Sequence, residues 1–162
     1  MKWPVFLTCF FLGGCGTLNI PAVSGFDLRK YSGSWYEIAR LPNRFEEGMT
    51  QVSAEYTILP DGRCQVVNRG LRDGEWKSVK GWARFSEKND TGDLEVSFFR
   101  PFYSRYRVIK LAPDYRFSVV IGADPGYLWI LSRTPELSEK DMTEIITFLK
   151  SNAFPVEKMI FR

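Results

Sequence analysis

Residues 50–59, TQVSAEYTIL, alternate without a break: Val52, Ala54, Tyr56 and Ile58 on one face, Gln51, Ser53, Glu55 and Thr57 on the other. A period of two over ten residues describes a strand with one dry face and one wet face. Asp61-Gly62 and Asp73-Gly74 supply hairpin turns on either side of the next apolar run. Repeated along the chain, this pattern predicts strands near 34–42, 50–59, 63–70, 75–86, 93–99, 102–111, 115–122 and 127–133. Connections this short pair neighbouring strands antiparallel in chain order. Eight such strands close into an up-and-down barrel, which removes exposed edges and leaves room inside for one small ligand.

YLWILS (127–132) breaks the alternation by being apolar on both faces. A strand buried on both sides needs a cover. Ser138 with Asp141 three residues on marks a helix start, and Met142, Ile145, Ile146 and Leu149 then share one face. The expected fold is therefore all-β: an eight-stranded antiparallel up-and-down barrel with one C-terminal α-helix packed outside, against Leu128 and Ile130. Tyr127, Trp129 and Leu131 then turn inward. A last short strand near 158–161 is expected beside the first.

The chain begins differently. MKWPVFLTCFFLGG has one charge at Lys2, an apolar run too short to span a bilayer, and two glycines. Cys15 follows, and Leu12-Gly13-Gly14-Cys15 resembles the bacterial lipoprotein box, which implies cleavage after residue 14 and lipidation of Cys15. A plain signal peptide with an incidental Cys, or an uncleaved anchor, is the alternative. The division expected is 1–14 signal peptide, 15–25 lipidated tether and 26–162 folded domain. Residue 16 is Gly rather than the Asp that resembles an inner-membrane retention signal, so the expected location is the outer membrane, on its periplasmic face. Cys9 leaves with the signal and Cys15 carries lipid. Cys64 alone remains, so the mature domain has no internal disulfide.

Composition narrows the chemistry. The 162 residues contain no His, which removes the commonest general base and metal ligand. The net charge of +3 with scattered basic residues argues against nucleic acid as a partner. No metal-ligand spacing and no Gly-rich phosphate loop is present, so neither a metal nor a cofactor is expected. Aromatic residues make up 15% of the chain, which suits a large core or a ring-lined cavity.

Gly33-Ser34-Trp35 opens the first strand, Asp114-Tyr115 lies in the turn between the sixth and seventh, and Arg133 ends the eighth. These resemble the three lipocalin motifs. WYEIARLPNRFEEG, SFFRPFYSRYRVIKL and YLWILSRTP resemble the bacterial outer-membrane lipocalins and their apolipoprotein D-like relatives, over residues from about 26 to the end. The resemblance implies a non-catalytic carrier or store of fatty acids or lysophospholipids in the cell envelope. If the first strand starts at the barrel floor, Trp35, the Asp114 turn and Arg133 all fall there. Gly33 leaves room at the start, Trp35 plugs the closed end, and Arg133 lies over its indole. Glu37 and Arg40 are assigned to the wet face or the rim, and 43–48 to a loop over the mouth.

The open end collects Phe45, Trp76, Phe99, Phe102, Tyr103 and Tyr127, with Arg44, Arg100 and Arg105 nearby. Arg105 is the leading candidate for clamping a carboxylate or phosphate. Two registers of the sixth strand stay open: Tyr103, Arg105 and Arg107 inward, or Ser104, Tyr106 and Val108 inward. The ligand-binding set expected is Tyr56, Phe98, Tyr103, Arg105, Phe117 and Trp129, with Ala54, Val66, Ala83 and Val119 in the pocket body. The rival readings are an enzyme using Cys64 as a cavity thiol, and a structural lipoprotein whose barrel is filled by its own side chains. Expected partners are a lipid ligand, the membrane through the N-terminal lipid, and a second copy through exposed aromatics.

Overall fold

The computed structural model describes residues 20–162. A four-residue helix, α1 (Leu28–Tyr31), precedes the strands β1 (Gly33–Arg40), β2 (Thr50–Ile58), β3 (Cys64–Arg72), β4 (Glu75–Phe85), β5 (Asp93–Phe99), β6 (Phe102–Leu111), β7 (Phe117–Ile121) and β8 (Leu128–Ser132). Helix α2 (Glu139–Ser151), a 3-10 turn (Val156–Lys158) and β9 (Ile160–Phe161) complete the chain. Every consecutive pair from β1 to β8 is antiparallel. The ring closes where β8 pairs with β1, through Tyr36 opposite Ser132 and Arg40 opposite Trp129. This is the eight-stranded barrel that the alternation and turns dictate.

The turns form for local reasons. Asp73 and Gly74 both take positive φ, 51° and 77°, the geometry of a tight two-residue hairpin. Helix α2 starts where Ser138 Oγ accepts the Asp141 N–H at 3.1 Å. Its Ile145 and Leu149 are fully buried, each worth about 1.5–3 kcal/mol relative to exposure.

Two apolar clusters divide the molecule. One lies outside the barrel wall and joins α2, through Ile145 and Leu149, to Leu128, Ile130, Phe117 and Val119. The other lies inside and holds Phe26, Tyr31, Trp35, Tyr56, Val108 and Leu131. Strands β7 and β8 are buried on both faces because they separate these clusters. Leu128 and Ile130 meet the helix while Trp129 and Leu131 look inward.

β1 serves two partners along one edge. Gly33–Tyr36 pairs with β2, and Ala39 and Arg40 pair with β9. A register shift between Glu37 and Ala39 lets Ile38, Ala39 and Leu41 all reach the outer cluster.

The segment 20–25, expected to be tether, is pinned to the wall in the described residues. Val23 N donates to Val108 O at 2.9 Å, Gly92 N donates to Val23 O at 2.8 Å, and Phe26 N donates to Asp90 O at 2.9 Å. Residues 1–19, including Cys15 and the signal, lie outside the described residues.

Candidate functional site

The floor is closed by aromatic rings packed tilted or edge-on against one another. Tyr31 lies 4.7 Å from Trp35 and 5.4 Å from Tyr56, centroid to centroid, and Phe26 lies 5.0 Å from Tyr31. The sequence reading missed α1 and its Tyr31. The signal was Asp27 three residues before Lys30, whose N–H, like that of Arg29, the Asp27 side chain accepts. Trp35 Nε1 donates to Tyr31 O at 2.8 Å. The Tyr31 hydroxyl meets Tyr106 at 2.7 Å and Ser118 Oγ at 3.1 Å. Burial pushes the Tyr31 phenol up to about 12, so these hydroxyls stay neutral. Tyr56, expected to touch ligand, is part of this plug.

Arg133 fastens the plug from below. Its guanidinium carbon sits 3.9 Å from the Trp35 ring centroid. It donates to Ser34 O at 2.9 Å, Lys30 O at 2.7 Å and Tyr115 O at 3.3 Å. One side chain therefore ties together α1, β1 and the β6–β7 turn. Gly33 has φ 94°, and a Cβ there would meet Arg133 Nη1 at 3.4 Å, so the glycine serves mainly the left-handed backbone. Asp114 pairs with Arg116 at 2.8 Å, and Arg116 also grips Asp141 of α2 at 2.6 Å.

Above the plug the wall opens. Alternation and register put Ala54, Asn68, Val79, Phe98, Ser104 and Trp129 on the inner face. Val79 is 39% exposed and Ser104 is exposed as well. Inner-face residues accessible to solvent mean that this half of the barrel is open to solvent. Two glycines that the sequence reading passed over shape it. A Cβ on Gly81 would fall 2.7 Å from the Phe98 ring, and one on Gly70 would fall 2.9 Å from Val52. The Phe98 ring packs against β4 at Gly81, in space that a side chain there would fill. Asn68 Oδ1 is buried without a partner, and Lys77 sits opposite Gly70 on the same face, paired with Glu75.

A charged cluster closes the upper end of β1. Glu37 and Arg40, assigned from sequence to the wet face or rim, are both buried. They lie opposite Leu131 and Trp129, which look inward. Arg40 Nη1 donates to Glu37 Oε1 at 2.7 Å, and Arg162 lies 3.1 Å from the same oxygen. Glu46, from the mouth loop, accepts the Trp129 indole N–H at 2.8 Å. Burial, then the Glu46 charge, pushes the Glu37 carboxyl up to about 7 against the pull of the two guanidinium groups.

Several expected pocket residues lie elsewhere. β6 takes the second register, with Leu94 opposite Tyr106 and Val96 opposite Ser104. Tyr103 and Arg105 are consequently on the outer face. Arg105 forms a two-pronged bond with Asp93, at 2.9 and 2.6 Å, and Arg84 covers the Tyr103 ring at 3.8 Å. The signal was in β5: Leu94 and Val96 are apolar, while Asp93 and Glu95 sit opposite Arg107 and Arg105. Opposite charges across a ladder select a register. Phe117 and Val119 also face outward, beneath α2, because Val119 pairs with Ile130. Of the Arg candidates, Arg44 stacks on Phe45 at 5.0 Å and Arg100 on Trp82 at 4.7 Å. Cys64 is 2% exposed at the floor end, and burial raises its thiol to about 11, far from a working nucleophile.

A closed eight-stranded antiparallel barrel, plugged at one end, open at the other and flanked by one helix, defines a ligand-binding barrel of the up-and-down class. The model of the lipocalin-like domain family matches residues 26–162, and the chain belongs to the lipocalin family. It is 42% identical over 145 residues to the outer membrane lipoprotein Blc of Citrobacter freundii, covering 88% of this chain and 82% of that one. The Vibrio cholerae outer membrane lipoprotein Blc is 40% identical over 96% of this chain and 94% of its own. Mouse apolipoprotein D is 35% identical over 93% and 82%. Among solved structures, insecticyanin from the tobacco hornworm superposes with a TM-score of 0.75 at 19% identity, covering 89% of this chain and 84% of that one.

Proposed function

We propose that this chain is an outer-membrane lipocalin, cleaved after residue 14 and lipidated on Cys15, that binds and stores or transports fatty acids or lysophospholipids at the periplasmic face. The observation carrying this reading is the solvent-reached upper barrel, with Phe98 and Trp129 above the ring plug and polar Asn68 and Lys77 toward the mouth. That arrangement suits an acyl tail below and a polar headgroup above. The Cys15 motif and the outer-membrane names of the Blc relatives support the location. Burying about fifteen methylenes gains ~12 kcal/mol gross, against ~4–15 kcal/mol of lost ligand freedom. The balance suits reversible binding, with the headgroup deciding selectivity.

The test is native extraction. The mature protein is purified from its own envelope without detergent and its bound small molecules are identified by mass spectrometry. Stoichiometric fatty acid or lysophospholipid is expected, together with quenching of tryptophan fluorescence on titration with the same lipid. An empty protein whose fluorescence does not respond to either lipid would refute the carrier reading and leave a barrel filled by its own side chains.

A further inference from the structure

Two oxygen atoms on the inner wall lack a partner. Glu37 follows Trp35 by two residues on β1 and lies opposite Leu131 of the inner cluster. Asn68 lies opposite Ala54, which lies opposite Trp35. The Glu37 side chain is 1% exposed. Its Oε1 takes Arg40 Nη1 at 2.7 Å and lies 3.1 Å from Arg162, whereas Oε2 is buried with nothing bonded to it. Asn68 Oδ1 is buried and unbonded too. A buried acceptor without a bond costs free energy, and native proteins rarely keep one unless a water, ion or ligand completes it. The rest of this wall is apolar, with Val52, Ala54, Val66, Trp129 and Leu131. A saturated acyl chain suits that wall but leaves both oxygens orphaned. In the proposed arrangement Asn68 belongs to the headgroup end, which leaves Glu37 beside the chain.

Charge narrows what can complete Glu37. The Arg40 and Arg162 guanidinium groups at Oε1 oppose an ammonium, and the carboxylate opposes a second anion. A neutral group remains. Glu37, pushed up to about 7 by burial and then by the Glu46 charge, populates both its forms near neutral pH. A hydroxyl pairs with each form: it donates to the carboxylate and accepts from the acid. An N–H donor serves only the first. Depth places the hydroxyl along the chain. Glu37 stands two residues above Trp35, or ~7 Å at ~3.3 Å per residue, so with the headgroup at the mouth it meets the half of the chain nearer the methyl end.

We infer that the barrel selects acyl chains carrying a hydroxyl in their methyl-end half, and that Glu37 Oε2 is the hydrogen-bond partner that reads it. The inference rests on the proposal that the upper barrel holds an acyl chain. Plain chains also enter, but they leave Oε2 unpaired, and that penalty is the source of the selectivity.

The experiment compares three lipids on the full-length mature protein, purified without detergent and stripped of lipid: octadecanoic acid, the same acid hydroxylated at its twelfth carbon, and the same acid hydroxylated beside its carboxyl. Affinity is read by displacement of a fluorescent fatty acid. The twelfth-carbon hydroxyl is expected to strengthen binding at least about 10-fold over the plain chain, and the hydroxyl beside the carboxyl to leave it within about twofold. The sign alone is diagnostic, because a hydroxyl buried without a partner weakens binding. Glu37→Met, close in length and without a hydrogen-bonding oxygen, should abolish the preference, with circular dichroism verifying its fold. Glu37→Gln keeps an amide able to bond a hydroxyl and should retain it. The three lipids on the unaltered protein decide the question even where Glu37→Met does not fold. Plain and twelfth-carbon chains bound equally would overturn the inference while leaving the carrier intact. A preference that survives in folded Glu37→Met, or one as large for the hydroxyl beside the carboxyl, would overturn it as well. Failure of all three lipids and of the fluorescent fatty acid to bind would remove the carrier reading and this inference together.

Discussion

Replacing Arg133 by Ala tests whether the floor is held by one side chain. The cation–π contact at 3.9 Å contributes roughly 0.5–2 kcal/mol. The two shorter carbonyl bonds, to Ser34 at 2.9 Å and Lys30 at 2.7 Å, add about 0.5–1.5 kcal/mol each, because the freed carbonyls can rehydrate. The 3.3 Å bond to Tyr115 adds little. A loss of about 2–4 kcal/mol is expected, which lowers the urea midpoint by ~1–2 M at a slope near 2 kcal/mol per molar. Unfolding is followed by tryptophan fluorescence and circular dichroism. Arg133→Lys keeps a charge over the indole but cannot fork to three carbonyls, so it should recover only part of the loss. Lipid affinity of the folded variant should stay within about twofold of the parent, because Arg133 lies below the plug. A loss under ~0.5 kcal/mol, or full recovery by Lys, would refute the reasoning.

Three further outcomes are expected. Glu37, pushed up to about 7 from an ordinary 4.5, holds a proton in the folded state that the unfolded chain has released, so stability should fall as pH rises from about 4.5 to 7; Glu37→Gln should flatten that slope, and denaturant titrations at several pH values measure it. Gly81→Ala places a Cβ 2.6 Å from Ser97 O and 2.7 Å from Phe98; this overpacking should cost about 1–3 kcal/mol in denaturant melts and weaken lipid binding as Phe98 is displaced. Arg105→Ala, which breaks an exposed pair with Asp93 on the outer face, should leave lipid affinity unchanged within about twofold; a tenfold loss by fluorescence titration would place Arg105 in the site after all.

Local signals were legible wherever one residue's neighbours in sequence decide its state. The alternation of 50–59, the Asp-Gly turns and the Ser138 cap each led to the element found there. The motif residues Trp35 and Arg133 meet at the floor because the parity of strands sends both ends the same way. The site was less legible. Glu37 sits between apolar neighbours and carries a charge, so its inward place depends on Arg40, Glu46 and Arg162 arriving from elsewhere. Tyr31 carries no local signal of burial, and it becomes the centre of the plug only once Trp35, Tyr56 and Tyr106 surround it.

The sequence by itself determined the strands, their antiparallel order, the closed barrel and the outer helix, because period-two alternation, turn chemistry and capping act over a few residues. Only the tertiary structure decided which way the sixth and seventh strands, β6 and β7, faced. β6 is readable in both registers, and the choice came from Leu94 and Val96 inside and from Asp93 and Glu95 outside, on the neighbouring strand. β7 is buried on both faces, and Phe117 went outward because α2 had to be covered. A one-residue shift exchanges the two faces of a strand while leaving its local sequence unchanged, so the lining of the barrel was settled by cross-strand pairing.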